Sequence, residues 1–124
     1  MVRVLIVEDN QIFREAFKAR LSDHFPSILI KEASNGDEAL QKVGEAPPDL
    51  IFMDIRLPGA NGLQLTQKIK KDLPSIHIAI LTDYDLPEYR QAAVEYGADR
   101  FFVKSSFKWD EIEALVKSTG AALS

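Results

Sequence analysis

The sequence predicts an α/β domain: a doubly wound, five-stranded parallel sheet built as (βα)5. Three observations carry this expectation. Short apolar runs rich in β-branched and aromatic residues recur five times, a stretch with helical hydrophobic period follows each, and the first, third and fourth runs are almost continuously apolar. Such runs suit strands covered on both faces, and the alternation implies right-handed crossovers between parallel neighbours.

The first run is Val2 to Val7, and Phe13, Phe17 and Leu21 mark the apolar stripe of the helix after it. The second run, Ile28 to Ala33, includes Lys31 and Glu32, which fits an edge strand; Ala39, Leu40 and Val43 place the next helix. Leu50 to Met53 forms the third strand, with Leu65 and Ile69 on its helix. Ile76 to Leu81 is the fourth, followed by Tyr89, Ala92, Ala93 and Tyr96. Phe101 to Val103 is the fifth, followed by Ile112, Leu115 and Val116. Pro47-Pro48, Pro58-Gly59 and Gly97 fall where connections are expected, and the sequence holds no internal repeat or low-complexity segment.

With 124 residues the chain is one domain's worth. Its 15 basic and 19 acidic residues give a formal charge of -4, which argues against direct contact with nucleic acid or an anionic membrane. The absence of cysteine excludes disulfides and thiolate metal sites, and His24 and His77 are too few and too separated for a histidine cluster. Val4 to Val7 is followed at once by Glu8 and Asp9, far short of a signal-peptide core or membrane span. A cytoplasmic protein is the expectation.

In a doubly wound sheet, ligands bind beyond the carboxyl ends of the strands. Four runs end in polar groups: Glu8-Asp9, Asp54, Thr82-Asp83 and Lys104-Ser105. If the first, third and fourth strands are neighbours, Glu8, Asp9 and Asp54 share one pocket, each close pair repelling by roughly 3 to 4 kcal/mol at an effective dielectric near 20. A hard divalent cation relieves that repulsion. Magnesium suits the donors, since it takes one or two carboxylates, keeps several waters and accepts phosphate oxygens. Lys104 adds a second positive charge. A lone acid after a strand is commonly a helix cap, and Asn10 or Asp9 would serve for the first helix. The convergence of acid pair, single acid, hydroxyl and lysine at one end favours a site instead, with Asp54 as its working residue.

Five strings then resemble one family. Val-Leu-Ile-Val-Glu-Asp-Asn (4 to 10), Asn-Gly-Asp-Glu-Ala-Leu (35 to 40), Asp-Leu-Ile-Phe-Met-Asp-Ile-Arg-Leu-Pro-Gly-Ala-Asn-Gly (49 to 62), Ile-Leu-Thr (80 to 82) and Gly-Ala-Asp-Arg-Phe-Phe-Val-Lys (97 to 104) look like the landmarks of two-component response regulator receiver domains, in order and at their spacing. The resemblance implies a flavodoxin-like (βα)5 sheet with strand order 2-1-3-4-5. It implies a receiver domain over 1–120, with 121–124 a tail or the start of a linker to an output domain absent from these residues. It implies a regulatory phosphoacceptor: Asp54 takes a phosphoryl group from a histidine kinase or phosphotransfer protein. Mg²⁺ would be held by Asp9, Asp54 and the backbone carbonyl of Arg56, with Glu8 assisting through water. Thr82 and Lys104 would contact the phosphate, and Thr82 with Phe101 would form the switch. Counting three residues back from Lys104, as the family pattern does, selects Phe101; on a strand Phe102 faces the other side.

Some positions depart from the pattern. Receivers usually carry a small residue after the threonine, where Asp83 stands here; its carboxylate should repel phosphate, slowing phosphorylation or speeding its loss. Ser105 replaces the usual proline, removing a cis-proline constraint. Arg56 and Tyr84 occupy variable positions that influence phosphate lifetime in the family, and Arg56 either pairs with Glu8 in the absence of metal or points to solvent.

Rival readings fit less well. A haloacid dehalogenase type phosphatase places its nucleophile at the end of the first strand with Asp-x-Asp spacing, whereas Glu8 and Asp9 are adjacent. A flavodoxin-like flavin carrier needs a hydroxyl- and amide-rich first loop, and this one is acidic; no Gly-rich P-loop is present in the sequence. The Lys-Ser-Ser segment and the Thr-Asp-Tyr-Asp-Leu-Pro-Glu-Tyr run resemble receivers of LuxR-type transcription factors, which carry a helix-turn-helix domain C-terminal to this point; a stand-alone receiver is the alternative. A homodimer formed on phosphorylation is a further expectation. Tyr84, Tyr89, Tyr96 and Trp109 either form a contact face or belong to the core.

Overall fold

Every apolar run of the sequence becomes a strand in the computed structural model, which describes residues 2–120; the expected tail, 121–124, lies outside the described residues. The elements are β1 (Arg3–Val7), α1 (Gln11–His24), β2 (Leu29–Ala33), α2 (Gly36–Glu45) and β3 (Leu50–Met53). A two-residue hairpin follows, β4 (Arg56–Leu57) and β5 (Ala60–Asn61). Then come α3 (Gly62–Asp72), β6 (His77–Thr82), α4 (Pro87–Glu95), β7 (Arg100–Val103) and α5 (Trp109–Thr119). The five longer strands form one parallel sheet in the order β2-β1-β3-β6-β7. With the hairpin set aside this is the expected 2-1-3-4-5, and β2 is at an edge.

Strand alternation divides the core into two layers. Leu5, Val7, Ile51, Met53, Ile78 and Ile80 face α2, α3 and α4, meeting Ala39, Val43, Leu65, Ile69 and Ala93. Val4, Ile6, Leu50, Phe52, Ala79 and Phe102 face α1 and α5, meeting Phe17, Leu21, Ile112, Leu115 and Val116. Phe52 is central to the second layer, with its ring edge-on to that of Phe17 at 4.9 Å. Burying one such side chain is worth roughly 1.5 to 3 kcal/mol. Phe101 and Phe102 fall in opposite layers, as their alternation requires.

Three helices begin on asparagine caps. Asn10 Oδ1 accepts from the Phe13 N–H at 3.1 Å, Asn35 Oδ1 from the Glu38 N–H at 2.9 Å, and Asn61 Oδ1 from the Leu63 N–H at 2.8 Å. Helix α4 has no side-chain cap and starts instead with Pro87 in its first turn, where a missing N–H costs nothing.

The structure differs from the sequence expectation in several places: β1 and β2 each begin one residue later than expected and β7 one residue earlier. The hairpin β4-β5 was not foreseen, because its strands are too short to show a period; Gly59, at φ 67°, supplies the left-handed turn between them. The fourth strand runs His77–Thr82, one residue later than expected, so Thr82 is its last residue rather than the first of a loop. Of the aromatic residues weighed as contact face or core, Tyr89 and Tyr96 are partly buried against the α2–α4 layer and Trp109 against the α1 and α5 layer, while Tyr84 is exposed, edge-on to Tyr89.

Candidate functional site

The parallel register brings the ends of four strands to one edge of the domain. Val7 pairs with Met53, Met53 with Ile80, and Thr82 with Val103. Glu8, Asp54 and Lys104 therefore each stand one residue beyond a strand, and the ladder continues through their own N–H groups. Glu8 donates to the Ala33 carbonyl at 2.9 Å, Asp54 to Val7 at 3.0 Å and Lys104 to Thr82 at 2.8 Å. These bonds fix the backbone from which the polar side chains project.

Glu8, Asp9 and Asp54 each offer a carboxylate oxygen within 4.8 Å of the others. Lys104 reaches between them. Its Nζ pairs with Glu8 Oε1, lies 3.2 Å from Asp54 Oδ2 and 3.9 Å from Asp83 Oδ2. Glu8 and Asp54 are buried, at 3% and 7% exposure, so little water screens them. Burial pushes the Glu8 carboxyl up to about 7, against the lowering effect of its hydrogen bonds from Lys104 and the Asn10 N–H. Burial also works against the Lys104 charge, yet Glu8 and Asp54 outweigh it and hold that ammonium above the usual lysine range. Lys104 is thus a permanent cation, while the acids around it outnumber it.

Most residues singled out in the sequence meet here. Asp9 is exposed, and because Asn10 takes the capping role, its carboxylate has no structural duty that the cap would impose. Asp54 Oδ1 accepts from the Ile55 N–H at 2.8 Å, which orients the carboxylate. Thr82 is fully buried, its Oγ1 accepting from the Tyr84 N–H at 3.4 Å. Phe101 is half-buried in the α2–α4 layer beneath the Arg90 guanidinium, 4.7 Å from its ring centre. Asp83 stands at the exposed mouth. Arg56 does not pair with Glu8; it lies exposed at the surface, where its guanidinium stacks on the Tyr84 ring at 3.8 Å and reaches the Tyr89 hydroxyl at 3.4 Å. The turn after Lys104 contains no cis peptide.

Three residues have roles at the site that the sequence reading did not assign. Arg14 Nη1 donates to the Glu8 carbonyl at 2.7 Å, and the Phe13 ring lies 4.7 Å from Lys104 Nζ, packing against its cation. Gly62 is the third. A Cβ there would sit 1.8 Å from the Asp54 carbonyl oxygen, so only glycine lets α3 start this close to the acid. An Asn-Gly pair opening a helix is the one signal that could have marked it.

The donor set fits a hard cation. Three carboxylates converge, two of them buried, and one lysine cannot balance them. Oxygen donors without sulfur or imidazole among the described residues at this cluster suit magnesium rather than a softer metal.

Similarity to known proteins agrees with this geometry. The family model for the response regulator receiver domain matches residues 4–117. The response regulator protein VraR of Staphylococcus saprophyticus is 34% identical over 119 residues, covering 94% of this chain and 56% of that protein. The chain therefore spans about half the length of the curated relatives it matches. Among solved structures, the response regulator protein TrrA of Thermotoga maritima, in complex with Mg²⁺ and BeF, is 36% identical with a TM-score of 0.83, covering 96% of this chain and 99% of that one. A LuxR-family DNA-binding response regulator from Staphylococcus aureus has 26% identity and a TM-score of 0.87, covering 97% and 100%. With the fold, the acidic pocket and these matches in agreement, the chain belongs to the response regulator receiver domain family of two-component systems.

Proposed function

We propose that this domain is a phosphorylation-controlled switch in which the Asp54 carboxylate accepts a phosphoryl group from a phosphohistidine of a histidine kinase or phosphotransfer protein. The observation that carries this reading is the placement of Asp54, buried between the acid pair and Lys104 at the carboxyl edge of the sheet. An Asp54 oxygen attacks phosphorus, the P–N bond to the donor imidazole breaks, and the imidazole keeps that electron pair and takes up a proton. Asp9, Asp54 and the Arg56 carbonyl would hold Mg²⁺, with Glu8 acting through water. When bound, that ion neutralises charge on the phosphoryl oxygens.

The chain's own residues do the rest. Lys104, held as a cation, pairs with a phosphoryl oxygen after leaving Asp54 Oδ2. The Ile55 N–H orients the nucleophile, and Thr82 donates its hydroxyl once it turns from the Tyr84 N–H. A phosphoryl group brings about 1.5 to 2 negative charges, enough to draw both groups toward position 54. Turning Thr82 frees space above Phe101, which moves inward. Reversing the two states from 1:99 to 99:1 takes about 5.5 kcal/mol of differential stabilisation, within reach of a few charge-assisted bonds. The domain works as a regulatory module in the cytoplasm, and the similarity to LuxR-family regulators supports a DNA-binding output domain beyond this segment, with dimerisation on phosphorylation.

Incubation with acetyl phosphate and Mg²⁺, followed by intact mass measurement, tests the reading. One phosphoryl adduct is expected, dependent on the metal and lost in Asp54→Ala. No adduct in the parent protein would leave a receiver that signals without phosphorylation.

A further inference from the structure

At the opposite end of β1 from Asp54, a cavity of about 120 Å³ opens between the edge strand β2 and the C-terminal end of α2. Its walls are largely apolar, with Leu5 and Leu29 from the sheet and Pro48 from the loop after α2. Leu29 is unusual for a strand leucine in being 43% exposed. Three cationic side chains, Arg3, Lys31 and Lys42, complete the lining. None of the three makes an ion pair among the described residues, so each is free to meet an outside anion. Of the acids nearby, Asp49 has its carboxylate engaged by the Arg3 backbone N–H at 2.8 Å, and Glu38, one turn before Lys42 on α2, accepts from the Ser34 hydroxyl and the Asn35 side chain.

Arg3 and Lys31 are exposed and Lys42 is half-buried, an arrangement in which long side chains lend their aliphatic stems to an apolar hollow and keep their charge in water. Here an apolar hollow is ringed by positive charge, on a protein whose net charge is -4. An apolar cavity of about 150 Å³ is known to accept benzene, so a hollow of this size holds most of one aromatic ring and leaves a substituent at the mouth. The cations meet an anion there. We propose that this cavity binds a small aromatic carboxylate, its ring against Leu5, Leu29 and Pro48 and its carboxylate between Lys31, Lys42 and Arg3. The carboxylate accepts charge-assisted hydrogen bonds while the ring leaves water, a division of labour that neither an inorganic anion nor a neutral arene reproduces.

The site is independent of the phosphoacceptor. Arg3 and Glu8 lie five residues apart along one strand and its exit, so the two sites are separated by about 16 Å.

Titration of the full chain with benzoate, followed by methyl resonances of Leu5 and Leu29, tests the proposal. Saturable shifts confined to this cavity are expected, with binding at least about tenfold weaker for benzyl alcohol and for the Lys31→Gln, Lys42→Gln double variant. Lys31 is exposed and Lys42 lies on the outer turn of a helix in which glutamine is well tolerated, so unchanged core resonances verify folding. Benzoate shifts that do not saturate, that persist in the double variant, or that sulfate reproduces at equal concentration would each overturn it.

Discussion

Neutralising Asp83 should accelerate phosphorylation, by an amount the geometry sets. Lys104 Nζ lies 3.2 Å from the Asp54 carboxylate and 3.9 Å from that of Asp83. The two acids therefore stand at most about 7 Å apart, where unit charges interact by about 0.6 kcal/mol in water and about 2.4 kcal/mol at an effective dielectric of 20. The Asp83 side chain is 67% exposed, so the lower figure governs. Phosphorylation adds roughly one negative charge beyond the carboxylate it replaces, so about 0.6 kcal/mol, close to threefold in rate, is at stake. At physiological salt the Debye length of about 8 Å cuts this to less than about twofold. The assay is the initial rate of adduct formation with acetyl phosphate, by intact mass, in low and physiological salt. Asp83→Asn keeps the shape and removes the charge, so it should match Asp83→Ala. Equal rates for parent and Asp83→Asn at low salt, or a gain indifferent to salt, would refute the electrostatic reasoning.

Other expectations follow from the same structure. Gly62→Ala drives a Cβ into the Asp54 carbonyl and should lower stability by about 1 to 3 kcal/mol or more, read as a drop in urea midpoint; an unchanged midpoint would mean that α3 shifts freely. Phe52→Ala empties the centre of the second layer and should lose about 3 to 5 kcal/mol in the same measurement. Burial tends to raise the Glu32 carboxyl, but Lys18 and Arg14 prevail and hold it below its ordinary 4.5. A depressed carboxyl contributes stability above its unfolded value and loses it as pH falls through the folded one. Glu32→Gln should therefore be less stable than the parent near pH 7, the gap closing as pH falls below 4.5 and through the lower folded value; a gap independent of pH would remove the ion pairs from the explanation. Mg²⁺ should raise the melting temperature of the parent and leave that of Asp54→Asn nearly unchanged, because binding to the folded state alone stabilises it.

The sheet and its helices were legible because buried parallel strands leave continuous apolar runs and their helices leave a 3.6-residue stripe. Asp54, the acid pair and Lys104 were legible for a related reason: polar residues that end such runs must lie at one edge. What escaped was local or purely spatial. Two-residue strands carry no period, so β4 and β5 left only Pro58-Gly59 as a trace. The contacts of Arg14 with the Glu8 carbonyl and of Phe13 with Lys104 arise from the docking angle of α1, to which no spacing in the sequence points. Arg56 shows the same limit, since its choice of Tyr84 and Tyr89 over Glu8 depends on where α4 begins. Conversely, Asn10 was read correctly as a candidate cap and proved to be one, which is what separates it from its neighbour Asp9.

Reductive trapping tests the central claim most directly. Borohydride converts an aspartyl phosphate to homoserine, and peptide mass mapping then locates it. After incubation with acetyl phosphate and Mg²⁺, homoserine is expected at position 54 alone, and nowhere when the metal is chelated. Homoserine at position 9 or 83, or its absence from every acid of the pocket, would contradict the assignment of Asp54 as the phosphoacceptor.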